Sequence, residues 1–332
     1  MKRFAILLPL LLAALGACTD DPVQPAKGVV VTGHNLPPTG SDFHYKLWFS
    51  YPEEGAVRKD PQIDHEESSY FAVGSFKVDG AGAISGLGGG AASFVIPEGY
   101  TPNLISDALV TIEMNGAVDT LPGPILLSGD FVGSASLGVD TLTLTGEHAF
   151  GDPMEKIFEP DTTHRYLLNT PTTADANDYA NGIWFVTLEQ SRFLPSLLLP
   201  AQPINQENAR WEYESWLVDN RVAPGTPGRY ISLGRFDSPA LKDQNGAGPG
   251  AGPDASLAYA APGEDFAAAT GRTLTSGAYG VVVSLQPFGL SLDHPFITLM
   301  KRDTIPAGLG LFQPDSLDTS VDRPTLEVQL DR

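Results

Sequence analysis

One ordered set of four short apolar segments occurs twice in this 332-residue chain, and that doubling limits the fold more than any other feature. The first copy has Tyr45-Lys46-Leu47-Trp48, then Tyr70–Phe76 (YFAVGSF), Leu109–Glu113 (LVTIE) and Pro124–Leu127 (PILL). The second has Tyr213-Glu214-Ser215-Trp216, then Tyr230–Phe236 (YISLGRF), Val282–Gln286 (VVSLQ) and Pro295–Leu299 (PFITL). Four matches in the same order predict a duplicated domain. Each segment has strand periodicity: Val110 and Ile112 face one way and Thr111 and Glu113 the other, and Val283 and Leu285 repeat the inward phase. Gly74 and Gly234 fall in mid-strand, where glycine costs stability unless a neighbour needs the space. Phe76 and Phe236, two residues further on, are the rings expected to pack there.

The chain carries 35 glycines and 28 prolines, spread along its length. Long helical patterns are absent, and short Val/Ile/Leu/Phe/Tyr runs end at Gly, Pro, Asn or Asp, which predicts an all-β protein. Since one sheet cannot bury its apolar face alone, the expected architecture is two tandem antiparallel β-sandwich (Ig-like) domains. The expected division is a signal peptide over 1–17, a lipidated cysteine and linker over 18–28, sandwiches over 29–150 and 151–310, and a tail over 311–332. Further strands are expected at Leu142–Thr145, Tyr166–Leu168, Gly182–Val186 and, in the tail, Thr325–Leu330. The segment Asp243–Asp254 (DQNGAGPGAGPD) has little to bury and reads as a loop.

The N-terminus starts with Met1-Lys2-Arg3, continues with an apolar run from Phe4 to Leu15 and reaches Cys18 through Gly16-Ala17. A basic start, a 12-residue apolar run and small residues before a cut make a secretory signal, too short to span a bilayer as a helix. Leu15-Gly16-Ala17-Cys18 resembles a bacterial lipobox. The resemblance implies that Cys18 becomes the lipidated N-terminus and that, in a cell with two membranes, Thr19 rather than Asp directs export to the outer one. Several acyl chains would anchor the chain stably. Cys18 is the only cysteine, so no disulfide within the chain is possible. Losing Lys2 and Arg3 from the 20 basic side chains leaves 18 against 40 acidic, a formal charge of −22. Such a surface repels phosphate backbones and anionic headgroups, so no nucleic acid is expected as partner and membrane contact is expected through lipid alone.

Tyr45/Trp48, Gly74/Phe76, Val110–Glu113 and Pro122-Gly123-Pro124 together resemble the C-terminal, extracytoplasmic domain of anti-sigma-K factors. The likeness covers about 90 residues of the first copy. It is fainter in the second, where Gln286 replaces the Glu and His294-Pro295 stands for Pro-Gly-Pro. The resemblance implies a sensory β-sandwich outside the cytoplasm. The helical segment that grips a sigma factor in that family has no counterpart here, so no sigma-factor contact is expected.

Searching the sequence for chemistry yields no specific catalytic constellation, and no cofactor is expected. His65-Glu66-Glu67 begins like a zinc motif, but no second histidine follows at helical spacing. Gly80–Gly90 is glycine-rich, yet Ser93–Ile96 after it reads as a strand rather than the helix a phosphate loop requires. Asp175–Asp178 and Asp243–Asn245 have oxygens for calcium but neither the spacing of an EF-hand nor that of a β-roll. Glu264-Asp265 are adjacent, so on a strand they point to opposite faces and share a site only at a turn. The aromatics leave a choice open. Trp48 shares a face with Lys46, and Trp216 with Glu214. Exposed, that face is a binding platform for a glycan or a protein; covered, the indoles cap the core. The expectation from the sequence is therefore an exported, non-catalytic lipoprotein acting as a sensory, binding or scaffold module of the envelope. A carbohydrate-binding module using Trp48, Trp216, Lys46 and Glu214, and a hydrolase, are the alternatives.

Overall fold

The computed structural model describes residues 28–52, 68–116, 123–131, 139–146, 149, 163–173, 175–200, 205–206, 209–244, 259–266, 272–320 and 322–331. Cys18, the signal and most of the linker lie outside these residues, as do His65-Glu66-Glu67 and most of Asp243–Asp254.

The chain is almost entirely β. The first group of strands is β1 (Gly28–His34), β2 (Phe43–Pro52), β3 (Ser68–Val78), β4 (Ile84–Gly86), β5 (Ser93–Val95), β6 (Asp107–Met114), β7 (Ile125–Asp130) and β8 (Val139–Thr145). The second is β9 (His164–Leu168), β10 (Gly182–Trp184), β11 (Val186–Glu189), β12 (Arg192–Pro195), β13 (Asn205–Gln206), β14 (Ala209–Asp219), β15 (Tyr230–Phe236), β16 (Gly263–Asp265), β17 (Tyr279–Pro287), β18 (Ile297–Arg302) and β19 (Asp315–Thr319). The last strand is β20 (Thr325–Asp331).

Two large antiparallel sheets result. The first has the order β4-β3-β2-β6-β7-β8-β20-β1-β5. Its terminal strands β4 and β5 are joined by a short connection, and β5 also lies beside β3, so the sheet curls back on itself. The second has the order β13-β14-β17-β18-β19-β9-β10-β16, with β15 paired to β14. It curls likewise, because β15 lies beside β16. Curling turns one face of each sheet inward, and that face carries the core: Tyr45, Leu47, Val110 and Ile112 in the first sheet, Tyr213, Leu217, Val283 and Leu285 in the second. Edges that approach one another in this way expose fewer unpaired backbone groups.

The duplication is real in the backbone. The run β3-β2-β6-β7 reappears as β15-β14-β17-β18. Both copies interrupt their ladders at equivalent places. The β2/β3 register shifts between Leu47 and Trp48, and the β14/β15 register between Ser215 and Trp216. The β6/β7 register shifts between Val110 and Thr111, and the β17/β18 register between Val283 and Ser284. Each shift is a bulge with one extra residue, which bends the strand and raises its twist. Aligning the bulges equates Leu126 with Leu299 and Gly74 with Gly234, so Pro295 does not match Pro124 as the sequence spacing alone implied.

Other expectations change. Residues 311–332 are not a tail: β19 belongs to the second sheet, and β20 fits between β8 and β1 of the first. The expected strand at Thr325–Leu330 is there, with Val328 opposite Leu142 and Leu330 opposite Asp140. The second sheet begins at β9, which pairs with both β10 and β19. The ring over Gly74 is Phe94 of β5, not Phe76: a Cβ at Gly74 would sit 2.1 Å from Phe94 Cδ1. Phe76 packs on Tyr45 instead (5.5 Å between centroids), as Phe236 packs on Tyr213 (5.4 Å). Gly234 answers a different need, its φ of 114° being a region L side chains rarely adopt. The copies meet at Phe296, whose ring lies 5.6 Å from Phe43 and 6.0 Å from Trp211, the residues that hold equivalent places in β2 and β14.

Candidate functional site

The faces of β2 and β14 turned away from the core carry every residue that the sequence marked for binding. Alternation puts Lys46 and Trp48 on that face of β2, and Glu212, Glu214 and Trp216 on that face of β14. Both faces are covered. Trp48 is 2 % exposed and Trp216 1 %. Neither indole forms an exposed platform, and the glycan-binding expectation built on them loses its footing. Each indole N–H instead donates to a hydroxyl on the neighbouring strand: Trp48 Nε1 to Thr111 Oγ1 at 2.8 Å, Trp216 Nε1 to Ser284 Oγ at 2.9 Å. Buried indole N–H groups need such partners.

The first face continues with the Thr111 hydroxyl donating to Glu113, whose Oε1 also accepts the Gly123 N–H at 3.0 Å. Lys46 is half-buried, with Nζ 4.8 Å from the centre of the Trp48 ring. The second face uses an amide at the equivalent place. Gln286 Nε2 donates to Ser284 Oγ at 3.1 Å and to the His294 carbonyl at 3.2 Å. In both copies one side chain two residues beyond the hydroxyl reaches the connection to the next strand. In the first it accepts; in the second it donates.

Charge concentrates on the second face. Arg235 is held between two carboxylates, Nε 3.1 Å from Glu214 Oε2 and Nη1 3.3 Å from Glu212 Oε2. Its Nη2 donates to the Leu290 carbonyl. The other two carboxylate oxygens are also occupied: Ser232 Oγ donates to Glu214 Oε1 at 2.6 Å, and Gln244 Nε2 to Glu212 Oε1 at 2.9 Å. Burial raises the Glu214 carboxyl, Ser232 and Arg235 pull it back down, and Glu212 pushes it up again. The sum of these effects is physically simple. Two buried acids share one guanidinium, so a proton on Glu214 relieves the excess negative charge.

Three further polar clusters stand apart. Ser50 Oγ lies 2.7 Å from Ser106 Oγ and 2.5 Å from Asp107 Oδ2, while Tyr70 donates to Asp107 Oδ1 at 2.9 Å. Asp265 Oδ2 accepts from Thr172 N–H at 3.1 Å and from its hydroxyl at 2.7 Å, and Glu264 beside it is wholly buried. These two acids therefore sit in the packed joint of β10 and β16. His164, at the start of β9, accepts the Leu198 N–H on Nδ1 at 3.1 Å. Among the described residues no group of three His, Cys, Asp or Glu side chains is placed to hold a metal ion, and no helix is long and apolar enough to cross a membrane.

The sequence named Trp48, Trp216, Lys46 and Glu214, and the structure brings each pair together on equivalent faces. It missed Arg235, Ser284 and Thr111, which complete those faces from neighbouring strands. A signal for two of them was present, since Thr111 and Ser284 occupy the same place in the repeated Val-Thr-Ile and Val-Ser-Leu runs. No family model matches this chain, and no curated protein or solved structure matches it.

Proposed function

We propose that this chain is a non-catalytic lipoprotein of the cell envelope, anchored outside the cytoplasm through Cys18 and working as a binding, sensory or scaffold module. The observation that carries the non-catalytic part is the state of the Glu212–Glu214–Arg235 cluster. Among the described residues it holds the one carboxyl with a raised pKa beside a charge partner, and all four of its carboxylate oxygens are engaged by side chains of the protein itself. A general acid or base must reach a proton on the substrate, and this one is committed to holding β14 and β15 together. The anchor rests on Leu15-Gly16-Ala17-Cys18. The likeness of the first copy to anti-sigma-K extracytoplasmic domains supports a sensory or binding role. It extends to no sigma-factor contact.

Two measurements test the reading. Cells fed a labelled fatty acid should incorporate label into the wild-type chain and not into Cys18→Ser, and the wild type should fractionate with the outer membrane. Label on the Cys18→Ser chain, or a wild-type chain with no label, removes the lipoprotein assignment. The non-catalytic assignment predicts that Glu214→Gln leaves crosslinked partners in intact cells unchanged. A turnover activity abolished by that substitution in a folded chain removes it.

A further inference from the structure

The chain enters the first sheet at Gly28, and most of the exposed large apolar residues of that sheet and its loops gather at this end. Strand pairing fixes their place. Gly28 stands opposite Val95 at the close of β5, Val29 opposite Leu330 of β20, and Asp331 opposite Val139 at the start of β8. Alternation turns Val29 into the core and Val30 outward. Val95 is 58 % exposed and Val139 65 %. Three strand spacings separate β5 from β8, so these two valines lie about 14 Å apart.

The connection from β5 to β6 closes the same end. Its Tyr100 stacks on Phe71, 3.7 Å between centroids, and meets Tyr51 edge-on at 5.1 Å. Those two rings come from the start of β3 and the end of β2, which finish beside each other here, Tyr51 opposite Ser69. Tyr100 is therefore fixed in place yet stays exposed. Leu104, the last residue of the helical turn Pro102–Leu104, is 49 % exposed, while Ile105 after it is buried. No lysine or arginine occurs in 28–31, 93–107, 139–145 or 325–331, and the acidic residues Glu98, Asp140 and Asp331 flank the apolar ones.

We propose that this end of the first sheet, led by Tyr100 and Leu104 and supported by Val30, Val95 and Val139, rests in the headgroup layer of the bilayer that holds the acyl chains of Cys18. The length of chain before β1 supports that occupant. Only nine residues, Thr19 to Lys27, separate Cys18 from Gly28. Ten backbone steps reach at most about 33–36 Å, and a flexible chain of that length averages about 16–19 Å. The opposite end of the sheet, where Phe43 meets Phe296, lies about 30 Å further on, the length of β2. The tether thus keeps the apolar end close to the lipid. At such high local concentration, contacts too weak to bind a free protein become occupied. Tyrosine suits a layer that is apolar on one side and wet on the other. The acidic flank repels anionic headgroups, so the fit is to zwitterionic phospholipid. The proposal rests on the lipid anchor and adds a second contact to it.

The test uses the full lipidated chain in phosphatidylcholine vesicles that carry a nitroxide-labelled phospholipid. Cys18 is the only cysteine, and its lipid occupies the thiol, so Leu104→Cys, Val139→Cys and Leu311→Cys each offer one site for a fluorescent label. Leu311 is exposed between β18 and β19 of the second sheet and serves as the control. Labels at 104 and 139 should be quenched several-fold more than the label at 311. Adding Leu104→Asp/Val95→Asp should bring quenching at 139 down to the control level while the chain still floats with the vesicles. Equal quenching at all three positions in a chain that floats keeps the anchor and overturns the contact. Blue-shifted emission at 104 and 139 without lipid quenching means that a protein covers this end, which also overturns it. A wild-type chain with a free thiol after unfolding has no lipid on Cys18; that outcome removes the anchor, and the bilayer contact with it.

Discussion

Trp216 and Ser284 meet across the β14–β17 ladder, indole N–H to hydroxyl at 2.9 Å, as Trp48 and Thr111 meet across β2–β6 at 2.8 Å. The two bonds sit beside equivalent bulges, at Leu47/Trp48 and at Ser215/Trp216. Replacing Trp216 or Trp48 by Phe keeps a buried ring but leaves a hydroxyl short of its donor. The expected cost is about 1–2 kcal/mol at either site, rising to roughly 3–5 kcal/mol for Ala, which also opens a cavity. Urea unfolding of the four single variants measures this. Equal stability of Trp216→Phe and wild type would mean that the bond contributes nothing.

Gly74 and Gly234 occupy equivalent bulge positions for unlike reasons, and alanine at each separates them. At Gly74 the obstacle is a ring, Phe94, so Gly74→Ala overpacks the site by about 1–3 kcal/mol or more. Trimming the ring in Gly74→Ala/Phe94→Leu should return part of that loss. At Gly234 the obstacle is the backbone itself, with φ at 114°. Gly234→Ala should cost on the order of 1–3 kcal/mol, and no trimming of a neighbour should restore it. A double-mutant cycle reads both; a Phe94→Leu change that fails to help Gly74→Ala would refute the packing account.

These two glycines also mark the limit of what the sequence could reveal. The alternation of Val110, Thr111, Ile112 and Glu113 is local, so strands and their inward faces were legible, and so was the duplication. The all-β architecture followed from them. Phe94 lies 20 residues from Gly74, and nothing local says that it returns to cover it. The choice between an exposed and a covered outer face stayed open for the same kind of reason. A Lys-x-Trp or Glu-x-Trp alternation looks half solvated, and only the partners on adjacent strands, Thr111, Ser284 and Arg235, show how a polar face can be buried. β20 shows it once more: its Leu326, Val328 and Leu330 announce a strand, but not that the strand crosses back to the first sheet.

Arg235 is the residue on which the second face depends most. Removing it leaves Glu212 and Glu214 buried together, so Arg235→Met should destabilise the chain by roughly 3–5 kcal/mol near neutral pH. The loss should shrink in acid, because protonating the two carboxyls removes their repulsion. Glu214→Gln should be far milder. In the wild type the Glu214 carboxyl is raised in the folded state, so its contribution is fully present below the unfolded carboxylate range. It is lost as pH rises through the folded value. Unfolding midpoints of the three chains across acid to neutral pH test this. An Arg235→Met chain that is no more sensitive to rising pH than wild type contradicts it.

His164 works in the opposite direction. It is buried at the start of β9, and burial lowers its pKa from 6.5 to about 4. The neutral ring accepts the Leu198 N–H, while Ser196 in the same segment donates to the Arg165 carbonyl at 2.6 Å; the flanking Leu197 and Leu199 are buried in the core. A protonated ring has no lone pair left to accept with. As pH falls through 6.5 the unfolded chain takes up a proton that the folded chain refuses until about pH 4. Stability is therefore complete above that window and lost within it, by about 3 kcal/mol at the acid end for a shift of this size. His164→Gln removes the titration, so its stability should lose this slope between pH 7 and 4 even though its value at pH 7 is lower. Hydrogen exchange should place the acid-induced opening first at the Leu198 amide. If Leu198 stays protected at pH 4.5 while the rest of β9 opens, the ring is not what fastens this segment.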